Sequence, residues 1–236
     1  MANKVIIAAG GIGARVGSST PKQFLDICGK PLIVYTLEKY QQSPDIDEII
    51  VSCVDGWQGY LDSCARQFGI TKLKTIVNGG ATGFDSIYNA LNAMQDFTND
   101  DDIVLFQDGN RPNVDNDIIK RCIKSIIDKG NAVTAMPCPD VVFDVSDEKI
   151  KIINRDNLLR IQTPQGSDFK TMFKLYCRAI IDKKTDLVGF CSLLCYYDYG
   201  IQFVMASDKN FKITYPEDVE RFRAQIAFEQ NEKNRG

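Results

Sequence analysis

Short continuous apolar runs alternate with segments of helical spacing, and this alternation constrains the chain more than any other feature. Lys4 to Ala9, Glu48 to Cys53, Lys74 to Val77, Ile103 to Phe106 and Asn131 to Met136 read as strands. Between them, Pro31 to Gln42 carries Leu32, Ile33, Leu37 and Tyr40 at helical spacing, with proline at the head where its missing N–H costs nothing. Gly56 to Phe68 and the stretch bearing Ile87, Ala90, Leu91 and Met94 read as further helices. The order predicts an α/β fold, a mostly parallel sheet covered by helices. With 236 residues and 44% hydrophobic content the chain can bury one large core, so a single domain over residues 1–230 is expected, with a polar tail at 231–236 that frays.

The later segments are less regular. Val141 to Val145, a polar turn at Ser146-Asp147-Glu148, and Lys149 to Ile153 read as a hairpin whose apolar face has no evident partner within the sheet. A helix is expected over residues 168–182, a helical run through Leu194, an edge-like strand at Gln202 to Met205, a short strand at Asn210 to Thr214, and a final helix opened by Pro216-Glu217-Asp218-Val219.

The first strand opens into Gly10-Gly11-Ile12-Gly13-Ala14-Arg15-Val16-Gly17, followed by Pro21-Lys22-Gln23-Phe24. Glycines let backbone N–H groups approach a polyanion, and Arg15 and Lys22 add two cations, so the loop suits a triphosphate. It is not a Walker loop, because Gly-Lys-Ser/Thr is absent, and the third glycine is misplaced for a dinucleotide fingerprint. A glycine turn after a core strand is the plainer reading, and the two cations weigh against it. Two other strand ends carry polar groups. Gly79-Gly80-Ala81-Thr82-Gly83-Phe84-Asp85-Ser86 reads as a ligand loop, or as a glycine turn with a helix cap at Asp85 or Ser86. Gln107-Asp108-Gly109-Asn110-Arg111-Pro112 reads as a substrate site, or as a structural Asp–Arg pair.

Composition narrows the chemistry. A net charge of -3 argues against a nucleic-acid-binding face. The eight cysteines are scattered without a C-x-x-C pair, and there is no histidine to complete a zinc set. The absence of histidine also excludes Ser-His-Asp, Cys-His and histidine general-base catalysis. Lys, Arg, Asp and Thr, or these with a bound cation, are left to carry the reaction. No signal-peptide pattern or membrane-length apolar run is present, so a cytoplasmic protein with reduced thiols and no membrane partner is expected.

Six motifs in order resemble one family: Ala9-Gly10-Gly11-Ile12-Gly13-Ala14-Arg15 with Pro21-Lys22-Gln23-Phe24-Leu25 and Gly29-Lys30-Pro31-Leu32; Gly79-Gly80-Ala81-Thr82 with Asp85-Ser86; Asp108 with Arg111-Pro112; Thr163-Pro164-Gln165; Thr185-Asp186; and Lys212-Ile213-Thr214 with Pro216-Glu217-Asp218. This is similar to the signature of the cytidylyltransferases that act on 2-C-methyl-D-erythritol 4-phosphate and ribitol 5-phosphate. The resemblance implies a three-layer, Rossmann-like nucleotidyltransferase fold and transfer of CMP from CTP to a polyol phosphate, with magnesium or another divalent cation bound mainly through the CTP phosphates. It implies catalytic roles for Arg15, Lys22 and Lys212. Nucleotide contacts are implied at Ala9, Gly10, Gly11, Gly13, Gly80, Ala81, Ser86 and Gly109, and acceptor contacts at Asp108, Arg111, Arg155, Thr163 and Thr185. By the same resemblance, residues 141–153 form a protruding arm that crosses to a second subunit, giving a homodimer in which Arg155 reaches the partner's acceptor.

The chain departs from the family's usual pattern at Gln107 for histidine, at Gly109-Asn110 for a small apolar pair, at Gly83 for arginine, and at Leu187 for an acid. Gly10-Gly11 in place of Ala-Gly is closer to the ribitol-phosphate branch, whose product CDP-ribitol supplies surface polymers. The 2-C-methyl-D-erythritol 4-phosphate branch, and a non-catalytic nucleotide-binding dimer of the same fold, are the alternatives.

Overall fold

The computed structural model describes residues 1–11, 20–146 and 149–233. Strand β1 (Asn3–Ala9) is followed by a small antiparallel pair, β2 (Asp26–Ile27) and β3 (Lys30–Pro31), and then by α1 (Leu32–Gln42). Next come β4 (Glu48–Cys53), α2 (Gln58–Gln67), β5 (Leu73–Asn78), α3 (Gly83–Met94), β6 (Ile103–Asp108), α4 (Asn116–Lys129) and β7 (Asn131–Pro137). The second part holds β8 (Val142–Asp144), β9 (Lys151–Ile153), β10 (Leu159–Asp168), α5 (Phe169–Ile181), α6 (Gly189–Tyr196), β11 (Phe203–Met205) and α7 (Pro216–Lys233).

Seven strands form one sheet in the order β11-β7-β10-β6-β1-β4-β5. β1 pairs in parallel with β4 and β6, while β10 runs antiparallel between β6 and β7. Because strand side chains alternate, Val5 and Ile7 pack on one face with α1, α2 and α4, and Ile6 packs on the other with α3, α5 and α6. The expected three-layer arrangement is therefore present. A third cluster, Ile27, Leu32, Phe211, Ile213, Val219, Phe222 and Ile226, seats α7 beside the small β2–β3 pair.

Four elements differ from the sequence expectation. β10 was not anticipated, because Pro164 has no N–H for a ladder; the pairing with β7 jumps between Ile161 and Gln165, which absorbs the proline in a bulge. Helix α4 was also not anticipated, although Ile118, Ile119, Cys122, Ile123 and Ile126 are buried at helical spacing between an Asp115 cap and a left-handed Gly130. Asn210 to Thr214 is not a strand: its backbone bonds are isolated, Asn210 N–H donating to Ser207 O at 3.2 Å and Ile213 N–H to Asn110 O at 2.9 Å, and form no ladder. The tail expected to fray from Asn231 continues α7 through Lys233.

Residues 142–144 and 151–153 form the expected hairpin, a separate two-stranded sheet. Its Val141, Phe143, Val145, Ile150 and Ile152 are each 54–71% exposed. At the opposite end of the sheet from the glycine loops, buried Lys4 bonds Phe97 O at 2.7 Å and ion-pairs with Glu48 at 2.9 Å and Asp102 at 3.6 Å.

Candidate active site

The parallel strands β1, β4, β5 and β6 end along one edge of the sheet at Ala9, Cys53, Asn78 and Asp108. Open α/β sheets bind ligands outside these carboxyl ends. Here a cleft of about 440 Å3 lies against Ala9, Gly10 and Gly11 at the end of β1, Gly80 and Ala81 in the β5–α3 loop, Ser86 in the first turn of α3, and Asp108 and Asn110 at the end of β6, with Lys22 and Lys212 also at its wall. Arg15 and Gly13 fall outside the described residues.

One end of the cleft is built by close backbone approach. A side chain on Gly10 would place its Cβ 2.6 Å from Ser86 Oγ, and one on Gly80 would overlap Asp85. The space so preserved lets Ser86 Oγ accept from Gly80 N–H at 3.0 Å and donate to Thr82 O at 2.9 Å, which holds the glycine loop in shape. The cap of α3 is neither Asp85 nor Ser86. Thr82 Oγ1 accepts from Asp85 N–H at 3.1 Å while the Asp85 carboxylate accepts from Thr82 N–H at 3.1 Å. That reciprocal box was legible in the Thr82-x-x-Asp85 spacing. Behind β1, buried Gln23 donates to Ala9 O at 2.6 Å and fixes the turn that carries Lys22.

The other end is electrostatic. Asp108 accepts from Lys212 Nζ at 2.8 Å on one oxygen and from Arg111 Nε at 2.9 Å on the other. Burial pushes this carboxyl up, but the two cations and their hydrogen bonds outweigh it and hold the group below the usual aspartate range. Asp108 N–H also donates to Thr163 Oγ1 at 3.1 Å, so the bulge in β10 sets the strand tip. The 210–214 segment is clasped on both sides of Lys212. Arg111 Nη1 donates to Asn210 O at 2.8 Å, and Asn110 Nδ2 donates to Ile213 O at 2.6 Å. Asn210 in turn donates to Thr163 O at 2.8 Å.

Gln107, where the family's usual residue is histidine, is fully buried, accepting from Tyr40 OH at 3.0 Å and donating to Arg111 O at 3.2 Å. It supports the loop and titrates nothing. Asp108 and Arg111 thus form a structural pair, of which Asp108 also lines the cleft.

Five expected contacts are not on the cleft wall: Arg111 and Thr163, which bond Asp108 behind it, and Gly109, Arg155 and Thr185. Gly109 does not line the cleft; its N–H donates to Ala8 O and its carbonyl accepts from Thr36 Oγ1, both at 2.9 Å, so it joins β6 to β1 and α1. Arg155 stands exposed at the base of the hairpin and donates to Pro139 O at 3.0 Å. Thr185 is exposed in the turn between α5 and α6 and does not line the cleft. Sequence reasoning missed Gln23, Thr36 and Asn210, whose roles depend on partners far along the chain.

Among the described residues no group of three His, Cys, Asp or Glu side chains could hold a metal ion. Asp108, the carboxylate at the cleft, already has a cation on each oxygen.

The family described as 2-C-methyl-D-erythritol 4-phosphate cytidylyltransferase (IspD) matches residues 3–228. A ribitol-5-phosphate cytidylyltransferase from Vibrio parahaemolyticus is 36% identical over 232 residues, which cover 97% of this chain and 98% of that one. A 2-C-methyl-D-erythritol 4-phosphate cytidylyltransferase from Clostridium botulinum is 34% identical over 92% of this chain and 94% of its own. In fold, the crystal structure of 4-diphosphocytidyl-2C-methyl-D-erythritol synthase from Anaerococcus prevotii superposes with a TM-score of 0.82 at 23% identity, covering 96% of each chain. Matched by the family's model over residues 3–228 and by these relatives over most of its length, the chain belongs to the IspD family of cytidylyltransferases.

Proposed function

We propose that this protein is a cytidylyltransferase that moves CMP from CTP to the phosphate of D-ribitol 5-phosphate, giving CDP-ribitol and pyrophosphate. The observation that carries this reading is a cleft with two ends of different chemistry: backbone and hydroxyl groups at Gly80 and Ser86, cations at Lys22 and Lys212. The first end suits a pyrimidine edge and crowds a purine. The second suits the phosphates.

An oxygen of the acceptor phosphate attacks the α-phosphorus, and the bond to the bridging oxygen of the β-phosphate breaks as pyrophosphate leaves. The attacking phosphate is already ionised at neutral pH, so a site without histidine lacks nothing the reaction needs. The requirement is to align two anions and to offset the charge that develops at phosphorus. Lys212 is held for this by Asp108 and by the clasp on Asn210 and Ile213. Lys22, and Arg15 with it, would act on the triphosphate from the β1 side. A magnesium ion would arrive on the CTP phosphates, since the carboxylate at the cleft is already engaged, and would neutralise part of their charge.

The similarity to ribitol-5-phosphate cytidylyltransferases over nearly the full length favours ribitol 5-phosphate. The family's own name favours 2-C-methyl-D-erythritol 4-phosphate as the second reading. We place the reaction in the cytoplasm, in a homodimer joined by residues 141–153, with Arg155, Arg111, Thr163 and Thr185 serving the acceptor and the product feeding synthesis of surface polymers such as teichoic acids. Pyrophosphate release from CTP in the presence of each polyol phosphate tests the assignment. Turnover with ribitol 5-phosphate at least tenfold above the erythritol derivative, and little turnover with ATP, are expected; the reverse preference would replace this reading with the second.

A further inference from the structure

Asn110 is only 7% exposed, yet it lines the cleft. Its Nδ2 donates to Ile213 O at 2.6 Å. A carbonyl only accepts, so this bond fixes which way the amide is turned: the nitrogen faces Ile213 and Oδ1 faces away from it. Among the described residues none donates to Oδ1, and that oxygen is not one of the closed-off polar atoms lacking a partner, so it is open to solvent. The open space beside Asn110 is the cleft.

What could fill that position follows from donor and acceptor chemistry. Ionised phosphate oxygens accept and would be repelled by an amide oxygen. The base is taken by the glycine loop and Ser86 at the far end under the reading above. The remaining donors on a nucleotide or a polyol phosphate are hydroxyl groups. Asp108, the carboxylate on the same wall, has both oxygens engaged by Lys212 and Arg111, which leaves Asn110 Oδ1 uncommitted.

We propose that Asn110 is a specificity-determining residue whose Oδ1 accepts a hydrogen bond from a substrate hydroxyl, on the ribose of the nucleotide or on the polyol of the acceptor. This deepens the proposed function and rests on it. The side chain is pre-set for the task, because the Ile213 bond and burial hold its rotamer before substrate arrives.

The test separates reading a hydroxyl from merely bracing Lys212. kcat/KM is measured for CTP against 2′-deoxy-CTP and 3′-deoxy-CTP, and for D-ribitol 5-phosphate against its monodeoxy analogues, in the native enzyme and in Asn110→Ala. Calorimetry gives nucleotide Kd values without acceptor. In the native enzyme, loss of the hydroxyl that Asn110 reads should cost about tenfold. In Asn110→Ala that ratio should fall towards one, for the nucleotide or for the acceptor, which identifies the source.

A bracing role alone would lower every substrate by the same factor and leave all ratios unchanged, and that result overturns the proposal. Ratios do not depend on the fraction of folded enzyme. Should Asn110→Ala not fold, Asn110→Ser, a small polar replacement without the amide, carries the same comparison. If native protein releases no pyrophosphate with any polyol phosphate, the cytidylyltransferase reading fails on its own account. The nucleotide Kd ratios then decide, and equal ratios overturn the Asn110 assignment.

Discussion

Lys212 reaches Asp108 across 104 positions of sequence, its Nζ 2.8 Å from the carboxylate. The contact joins the C-terminal segment to the tip of a central strand, so removing either partner should act on the chemistry. Lys212→Ala should lower kcat by about 100-fold, roughly 3 kcal/mol of barrier, with a small change in the KM for CTP. Asp108→Asn should also depress kcat, because Lys212 and Arg111 lose the charge that holds them. Steady-state kinetics with both substrates varied check this; a pure KM effect for either variant counts against it.

Lys22 and Arg155 should differ in the parameter they control. Lys22 lies at the cleft wall, and its loss should mainly lower kcat. Arg155 lies at the base of the arm, away from the cleft of its own chain, and its loss should mainly raise the acceptor KM. Mixing the two inactive variants, with subunit exchange verified by mass spectrometry, should restore part of the activity if Arg155 serves the neighbouring site. No recovery would make Arg155 a local structural charge.

Deleting residues 141–153 should convert a dimer into a soluble monomer with little activity. The arm exposes five large apolar side chains on a two-stranded sheet that touches little else, an unusual outlay of surface for a single chain. Light scattering after size exclusion reads the outcome, and an unchanged mass would place the interface elsewhere.

Acid should destabilise the fold in a defined window. Burial raises the Glu48 and Asp102 carboxyls, but bonds from Lys4 and Lys74 to Glu48, and from the Ala2 and Asn99 backbone to Asp102, lower both overall. A group depressed in the folded state contributes stability above its unfolded value and loses it as pH falls through the folded one. Unfolded values are near 4.5 for glutamate and 3.8 for aspartate. Tm should therefore stay level from pH 8 to about 5 and drop below about 4.5. Glu48→Gln should lower Tm at neutral pH and flatten the acid drop, as followed by circular dichroism.

The parallel half of the sheet was legible because β1, β4 and β6 are buried on both faces and write themselves as unbroken apolar runs. β10 is just as buried from Gln162 to Ser167 but carries Gln162, Thr163, Gln165 and Ser167 there, and no periodicity announces it. Its polar groups are tolerated because distant partners satisfy them: Gln165 Oε1 accepts from Cys191 N–H at 2.8 Å, and Thr163 Oγ1 from Asp108 N–H. Asn210 to Thr214 reads as a strand by pattern, yet its neighbours are Asn110 and Arg111, and no ladder is available. At the site, Lys22, Ser86 and Asp108 stand in polar loops at strand ends, whereas Lys212 is picked out only by the family resemblance. Asn110 registered only as a departure, since its value lies in an angle fixed by Ile213.

The position of Lys212 also bears on how the protein is made. Translation delivers Lys22 long before Lys212, and the later lysine is seated only once α7 can pack Val219, Phe222 and Ile226 against Ile27 and Leu32. A ribosome-bound chain that has emerged through Met205 already contains every strand of the main sheet, together with the glycine loops, and lacks one wall of its cleft. A nascent chain or premature-stop product that ends before Lys212 is thus barred from the proposed chemistry, even with both glycine loops in place.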